Sequence, residues 1–114
     1  MGAKSYQDGV KSEQKAVAFL QKQKHAVIRR RYRTSVGEID IISEKDSVLH
    51  ITEVKKRRTL TLAREAVSER QQSRINKAVE VFIKSSETIY DGIQMNVIFI
   101  ANNELRYLEN AWCL

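Results

Sequence analysis

Apolar residues recur along the chain with two different periods, and each change of period marks an element. From about Val10 to Lys24 the spacing is helical, with Ala16, Val17 and Leu20 on one stripe and Glu13 in register with them. Ala26 to Tyr32 reads as an edge strand, leading through the turn-like Thr34 to Gly37 into a hairpin. The hairpin is predicted by two runs rich in β-branched residues, Ile39 to Ile42 and Ile51 to Lys56, which flank the polar, turn-prone Glu44 to Ser47. Ser68-Glu69-Arg70-Gln71 has the form of a capping box. Behind it Ile75, Ala78, Val79, Phe82 and Ile83 repeat at helical spacing to about Ser86. After Asp91-Gly92, Met95 to Ile100 reads as a buried strand, Asn102-Asn103 as a turn and Leu105 to Leu108 as a shorter partner strand. Trp112 is expected to pack the C-terminal segment onto the body. The order is helix, three strands, helix, two strands. It predicts an α/β or α+β domain with a mixed five-stranded sheet flanked by helices.

The hairpin carries the chemistry. Asp40 interrupts the apolar run Ile39 to Ile42, where β-propensity disfavours it, and Glu53 and Lys55 alternate along the partner strand. A loop of two residues (Lys45, Asp46) or of four (Glu44 to Ser47) would set Asp40 opposite Ile51 and diagonal to Glu53. All three polar side chains would then share a face. A three-residue loop would separate them. Two carboxylates crowded on a half-buried sheet repel one another unless a cation intervenes. Mg²⁺ takes one or two carboxylates and completes its shell with water and phosphate oxygens, so Asp40 and Glu53 suit it. Lys55 could position or help deprotonate an attacking water and offset charge on a phosphate. The plainer alternative, for any single E-x-K, is an exposed Glu/Lys ladder. For Glu13 the plainer alternative, favourable charge in the first turn of a helix, ranks first on spacing alone.

Charge sharpens the picture. The chain has 114 residues, 42% apolar and 30% charged, which suits one folded domain spanning 1–114. No run of residues is apolar enough to span a bilayer, and Met1 to Lys15 lacks the apolar core of a signal peptide, so a cytoplasmic protein is expected. Cys113 is the only cysteine, and His25 and His50 are far apart in sequence, so no zinc-ligand spacing exists. His50 is expected to be a structural strand residue. The net charge is +6, concentrated in Arg29 to Arg33 and in Lys55 to Arg58, the latter immediately following the proposed metal site. Nucleic acid is the matching polyanion, and Tyr32 could stack on a base or simply pack.

These residues resemble those of the bacterial YraN family, nearly end to end. The resemblance rests on Ser12-Glu13, Arg33 before Gly37-Glu38-Ile39-Asp40-Ile41-Ile42, Glu53-Val54-Lys55-Lys56-Arg57, Ala66-Val67 and the closing Asn110-Ala111-Trp112. That family is similar to Holliday-junction-resolvase-type members of the restriction-endonuclease-like, or PD-(D/E)xK, superfamily. The resemblance implies that Asp40, Glu53, the Val54 carbonyl and Glu13 hold Mg²⁺ or Mn²⁺ and that Lys55 is the catalytic lysine. It also implies hydrolysis of DNA phosphodiesters, with branched DNA as substrate. Arg31, Arg33, Lys56, Arg57, Arg58, Arg70, Gln71 and Arg74 would then contact nucleic acid. The chain departs from the family's habit at Ser12 (usually glycine), Gln71 (usually lysine) and Arg31 (often asparagine).

Three expectations of different class remain. The first is a structure-selective endonuclease, for which a homodimer would suit cutting of two strands. The second is a catalytically inactive nucleic-acid-binding module that kept a nuclease-like fold. The third is a carboxylate cluster that only orders the sheet through Lys55 or Arg33.

Overall fold

Ser68 ends one segment of chain and starts a helix: its hydroxyl oxygen accepts from the Gln71 backbone N–H at 3.1 Å, satisfying one of the donors a helix start leaves open. The same local logic builds the rest of the computed structural model, which describes residues 3–58 and 67–114. Helix α1 (Ala3–Lys22) leads to β1 (Ala26–Arg33), β2 (Glu38–Lys45) and β3 (Val48–Lys56). Helix α2 (Glu69–Ser85), β4 (Gly92–Ala101) and β5 (Glu104–Trp112) complete the chain. Of the residues on which the family resemblance rests, Ala66 lies outside the described segments.

The strands form one sheet in chain order. β3 and β4 are parallel, joined by the crossover that carries α2, and the other neighbouring pairs are antiparallel. This is the expected α+β fold with a mixed five-stranded sheet, consistent with a restriction-endonuclease-like core. Alternation sends Ile98 and Ile100 to the face covered by α1, where they cluster with Ala16, Val17, Leu20 and Ile41. On the other face Ile75, Ala78, Val79 and Phe82 of α2 pack against Ile39, Ile42, Leu49, Ile51 and Met95. No helix among the described residues is long and apolar enough to cross a membrane.

The hairpin register corrects the sequence reading by one step on each strand. Asp46 and Ser47 form the loop, both with positive φ (53° and 65°), as a two-residue type I′ turn requires. Ile42 therefore pairs with Ile51 and Ile41 with Thr52. One step further, Asp40 comes directly opposite Glu53 instead of diagonal to it. Because the loop length remains even, the shared face survives.

At Asp40 the regular alternation of β2 breaks. Ile39 and Ile41 would share a face in an ideal strand, yet they pack under opposite helices. Arg31, on the neighbouring part of β1, has a left-handed φ of 52°, which matches a local reversal of the pleat. The site therefore lies where neighbouring apolar residues of β2 are committed to the clusters on opposite faces of the sheet.

Several elements run beyond their expected limits, among them β2 to Lys45, β3 from Val48 and β4 from Gly92. β5 extends to Trp112 across an irregularity where Asn110, at φ 54°, donates its N–H to Asn96 Oδ1 (3.2 Å). Trp112 then donates from Nε1 to Asn76 Oδ1 (2.9 Å), which is the packing expected of it. α1 begins well before Val10, through a polar stretch with no apolar stripe to reveal it.

Candidate active site

Past Ile41 and Thr52 the ladder between β2 and β3 opens, and side chains take over the pairing. The Asp40 N–H donates to Glu53 Oε2 (3.0 Å), and the Val54 N–H donates to Asp40 Oδ2 (2.8 Å). Each carboxylate thus satisfies a backbone donor that the diverging strands would leave unpaired. The reciprocal pair also locks the two acids together at the mouth of the sheet.

Both acids are held away from ordinary carboxylate behaviour. Burial raises the Asp40 pKa; the Val54 N–H and the Lys55 ammonium pull it back, and the Glu13 charge pushes it up again. Glu53, only 3% exposed, is driven well above its usual range, first by burial and then by the Asp40 charge, with Lys55 again opposing. Two crowded acids, Glu53 buried and Asp40 half-buried, both with raised pKa and with the Lys55 ammonium opposing the shift, form a site that a cation would relieve.

Two clefts meet at this point, and Glu38, Asp40 and Val54 line both. On the α2 side a cleft of about 610 Å³ is walled by Glu53, Lys55, Arg70, Gln71 and Arg74. On the α1 side a cleft of about 410 Å³ is walled by Glu13, Arg31, Arg33, Lys56 and Arg57. The alternation of β3 thus sorts Glu53 and Lys55 into one cleft and Lys56 into the other. Of the basic residues nominated from the sequence, the exposed Arg58 lines neither.

Glu13 is buried on α1 as its spacing implied, yet it is engaged by arginines. Arg31 Nε donates to Glu13 Oε2 (3.0 Å), and Arg30 Nε lies 3.6 Å from Oε1, an oxygen with no hydrogen-bond partner. The sequence carries no mark of this role for Arg30, because strand alternation alone would not turn two consecutive residues to one carboxylate. Among the described residues, no group of three or more His, Cys, Asp or Glu side chains is arranged to hold a metal. Asp40 and Glu53 form a two-carboxylate set of the kind a hard cation takes, leaving the remaining positions to water and phosphate. Glu38, named above only as part of the Gly37 to Ile42 motif, is a second residue to which the sequence reading assigns no role. It lines both clefts and lies 3.7 Å from Arg33, an exposed pair of little energetic weight.

Away from the clefts, the α1 side of the sheet holds a polar layer. His25 Nδ1 is hydrogen-bonded to Ser43 Oγ (2.8 Å), and the His25 and His50 rings meet edge-on at 4.5 Å. Asn96 joins His50 to the Tyr107 hydroxyl, with both contacts at 3.0 Å. Burial lowers both histidine pKa values, His25 to about 4. His50 is thus the structural strand residue expected. The signal for this layer was Asn96 inside an apolar run, the same kind of interruption that marked Asp40.

The profile of the uncharacterised protein family UPF0102 matches residues 12–100, a span that includes every acidic and basic residue walling the two clefts. A UPF0102 protein of Campylobacter jejuni strain 81-176 is 36% identical over 110 residues, covering 96% of this chain and 97% of the relative. One from Granulibacter bethesdensis is 38% identical over 115 residues, covering 99% and 73%. One from Rhodopseudomonas palustris is 33% identical over 110 residues, covering 95% and 85%.

Proposed function

We propose that this chain, which belongs to the uncharacterised protein family UPF0102, the YraN family, is a metal-dependent endonuclease of the PD-(D/E)xK type acting on branched DNA. The observation that carries the proposal is the reciprocal pairing of Asp40 and Glu53 at a break in the sheet, with Lys55 beside them in one basic cleft. A structural ion pair would match each acid with a base. Here two acids, Glu53 buried and Asp40 half-buried, share one lysine.

In this reading Asp40, Glu53 and the Val54 carbonyl hold Mg²⁺ or Mn²⁺. When bound, the ion supplies Lewis-acid neutralisation of charge on the phosphate. Lys55 orients the attacking water and offsets charge as the nucleophile approaches in line. Water adds to phosphorus as the bond to the 3′ oxygen breaks. Arg70, Gln71 and Arg74 hold the nucleic acid in one cleft, and Arg31, Arg33, Lys56 and Arg57 do so in the other. Arg58 extends the basic rim.

The Lys55→Ala variant tests the assignment. It is expected to keep DNA binding and stabilisation by Mg²⁺ while losing cleavage by at least two orders of magnitude, within the usual range for loss of an acid–base or electrostatic group. Cleavage at the wild-type rate would remove Lys55 from the chemistry.

The second reading is a nucleic-acid-binding module without catalysis. Glu13 favours it, because its carboxylate faces Arg30 and Arg31 instead of completing a third acidic ligand. Tight, metal-independent DNA binding with no cutting of any substrate would support that reading.

A further inference from the structure

The α2-side cleft does not end at the carboxylates. A groove of about 490 Å³ continues from it past Arg70 and Arg74, and is lined by Ser73 and Lys77 of α2 and by Ser35 and Val36 of the β1–β2 turn. Among the described residues it is lined by no acidic side chain. Arg70, Ser73, Arg74 and Lys77 are all exposed, and none of the three cations forms an ion pair among the described residues.

Helix electrostatics disfavour the placement of Arg70 and Arg74. Arg70 lies in the first turn of α2, where the helix macrodipole disfavours positive charge. Arg70 and Arg74 are four residues apart, and Arg74 and Lys77 three, so each neighbouring pair on this face is like-charged and repulsive. No acid stands three or four residues from Arg70 or Arg74, whereas Lys77 has Glu80 three residues on. The groove is also rigidly framed. A Cβ at Gly37 would overlap the Arg74 carbonyl, so the turn and the helix are in direct backbone contact.

We infer that the row Arg70, Arg74, Lys77 is a track for the sugar-phosphate backbone of one DNA arm as it leaves the carboxylate cleft. From Arg70 to Lys77 the helix rises about 10 Å, the distance over which one strand of B-DNA advances about three phosphates. The hydroxyls of Ser35 and Ser73 supply neutral donors along the same wall. The track rests on the nuclease reading for the identity of the cleft it leaves, but it works without chemistry and is tested without it.

The test is fluorescence-anisotropy titration of a labelled 20-base-pair duplex in EDTA across a range of salt concentrations, with wild type, Lys77→Ala and Lys77→Glu. Thermal melts of the same proteins are run in parallel. Each lost phosphate contact lowers the slope of log K against log salt by about 0.9. Lys77→Ala is expected to lose that much and Lys77→Glu more, while the melting temperature of Lys77→Ala stays level or rises. A purely structural Lys77 would show the opposite, a lower melting temperature and an unchanged slope. An unchanged slope in Lys77→Glu, or binding of a matched RNA duplex and not of DNA, overturns the track. The nuclease reading stands or falls separately, on cleavage in Mg²⁺.

Discussion

Asp40 and Glu53 each hold a backbone N–H while standing within reach of the other's charge, so their structural and chemical roles have to be separated by substitution. Asp40→Ala removes both roles at once and leaves the Val54 N–H without its acceptor. Asp40→Asn keeps an acceptor in place and removes one of the two crowded charges. In differential scanning fluorimetry it is expected to melt at or above the wild-type temperature without metal. Mg²⁺ at a hundredfold its dissociation constant should stabilise the wild type by about 2.7 kcal/mol and leave Asp40→Asn unchanged. Destabilisation by Asp40→Asn, with no wild-type response to Mg²⁺, would instead assign the acids to ordering the sheet. At this scale the sequence was most legible where a residue contradicted its surroundings, as Asp40 does between Ile39 and Ile41. The arginine clamp on Glu13 was not legible. It depends on a left-handed backbone at Arg31, and nothing in the run Arg29 to Arg33 encodes that visibly.

Between elements, the site depends on α2 lying close to the β1–β2 turn. Thr34 shapes that turn, its Oγ1 accepting from the N–H groups of Val36 (3.1 Å) and Gly37 (3.0 Å). Gly37 then touches the Arg74 carbonyl with no room for a side chain. Gly37→Ala is expected to push α2 outward, costing roughly 1–3 kcal/mol in denaturant unfolding, as overpacking against backbone does. Arg70 and Arg74 would move with it, so DNA affinity should fall although no charge has changed. Wild-type stability and affinity in Gly37→Ala would show that the contact does not set the cleft. The existence and order of the elements were readable because period-2 and helical patterns alternate cleanly and Ser68 announces α2. The exact hairpin register was not readable, because Lys45, Asp46 and Ser47 all suit turns, and only the positive φ of Asp46 and Ser47 identifies the loop. The shared face survived because register parity, and not register itself, decides it.

Across the whole molecule, polarity is divided between the clefts at one end of the sheet and the buried layer around His25, His50 and Asn96. The layer makes stability pH-dependent in a definite direction. His25 has a folded pKa of about 4, below its ordinary 6.5, so the unfolded chain binds the proton more readily. Its contribution is complete above pH 6.5 and is lost as pH falls toward 4, amounting to about 2 kcal/mol by pH 5. His50 shifts the same way. Thermal melts from pH 7.5 to 5 should therefore fall more steeply for wild type than for His25→Gln, and parallel curves would contradict the assignment. The clefts themselves were only partly visible in the chain. Charge runs pointed to nucleic acid, but the meeting of both clefts at Asp40 arises from a pleat reversal and from the packing of two helices on opposite faces. The central claim, that this meeting point is a phosphodiesterase centre, is tested most directly by one gel. Labelled single-stranded, duplex, flapped and four-way-junction DNA would be incubated in Mg²⁺ or Mn²⁺ with wild type and with identically purified Asp40→Asn. The account predicts metal-dependent cutting, strongest on branched substrates, that disappears in Asp40→Asn. Cutting that persists in Asp40→Asn, or no cutting of any substrate by a wild-type protein that binds them, would contradict it.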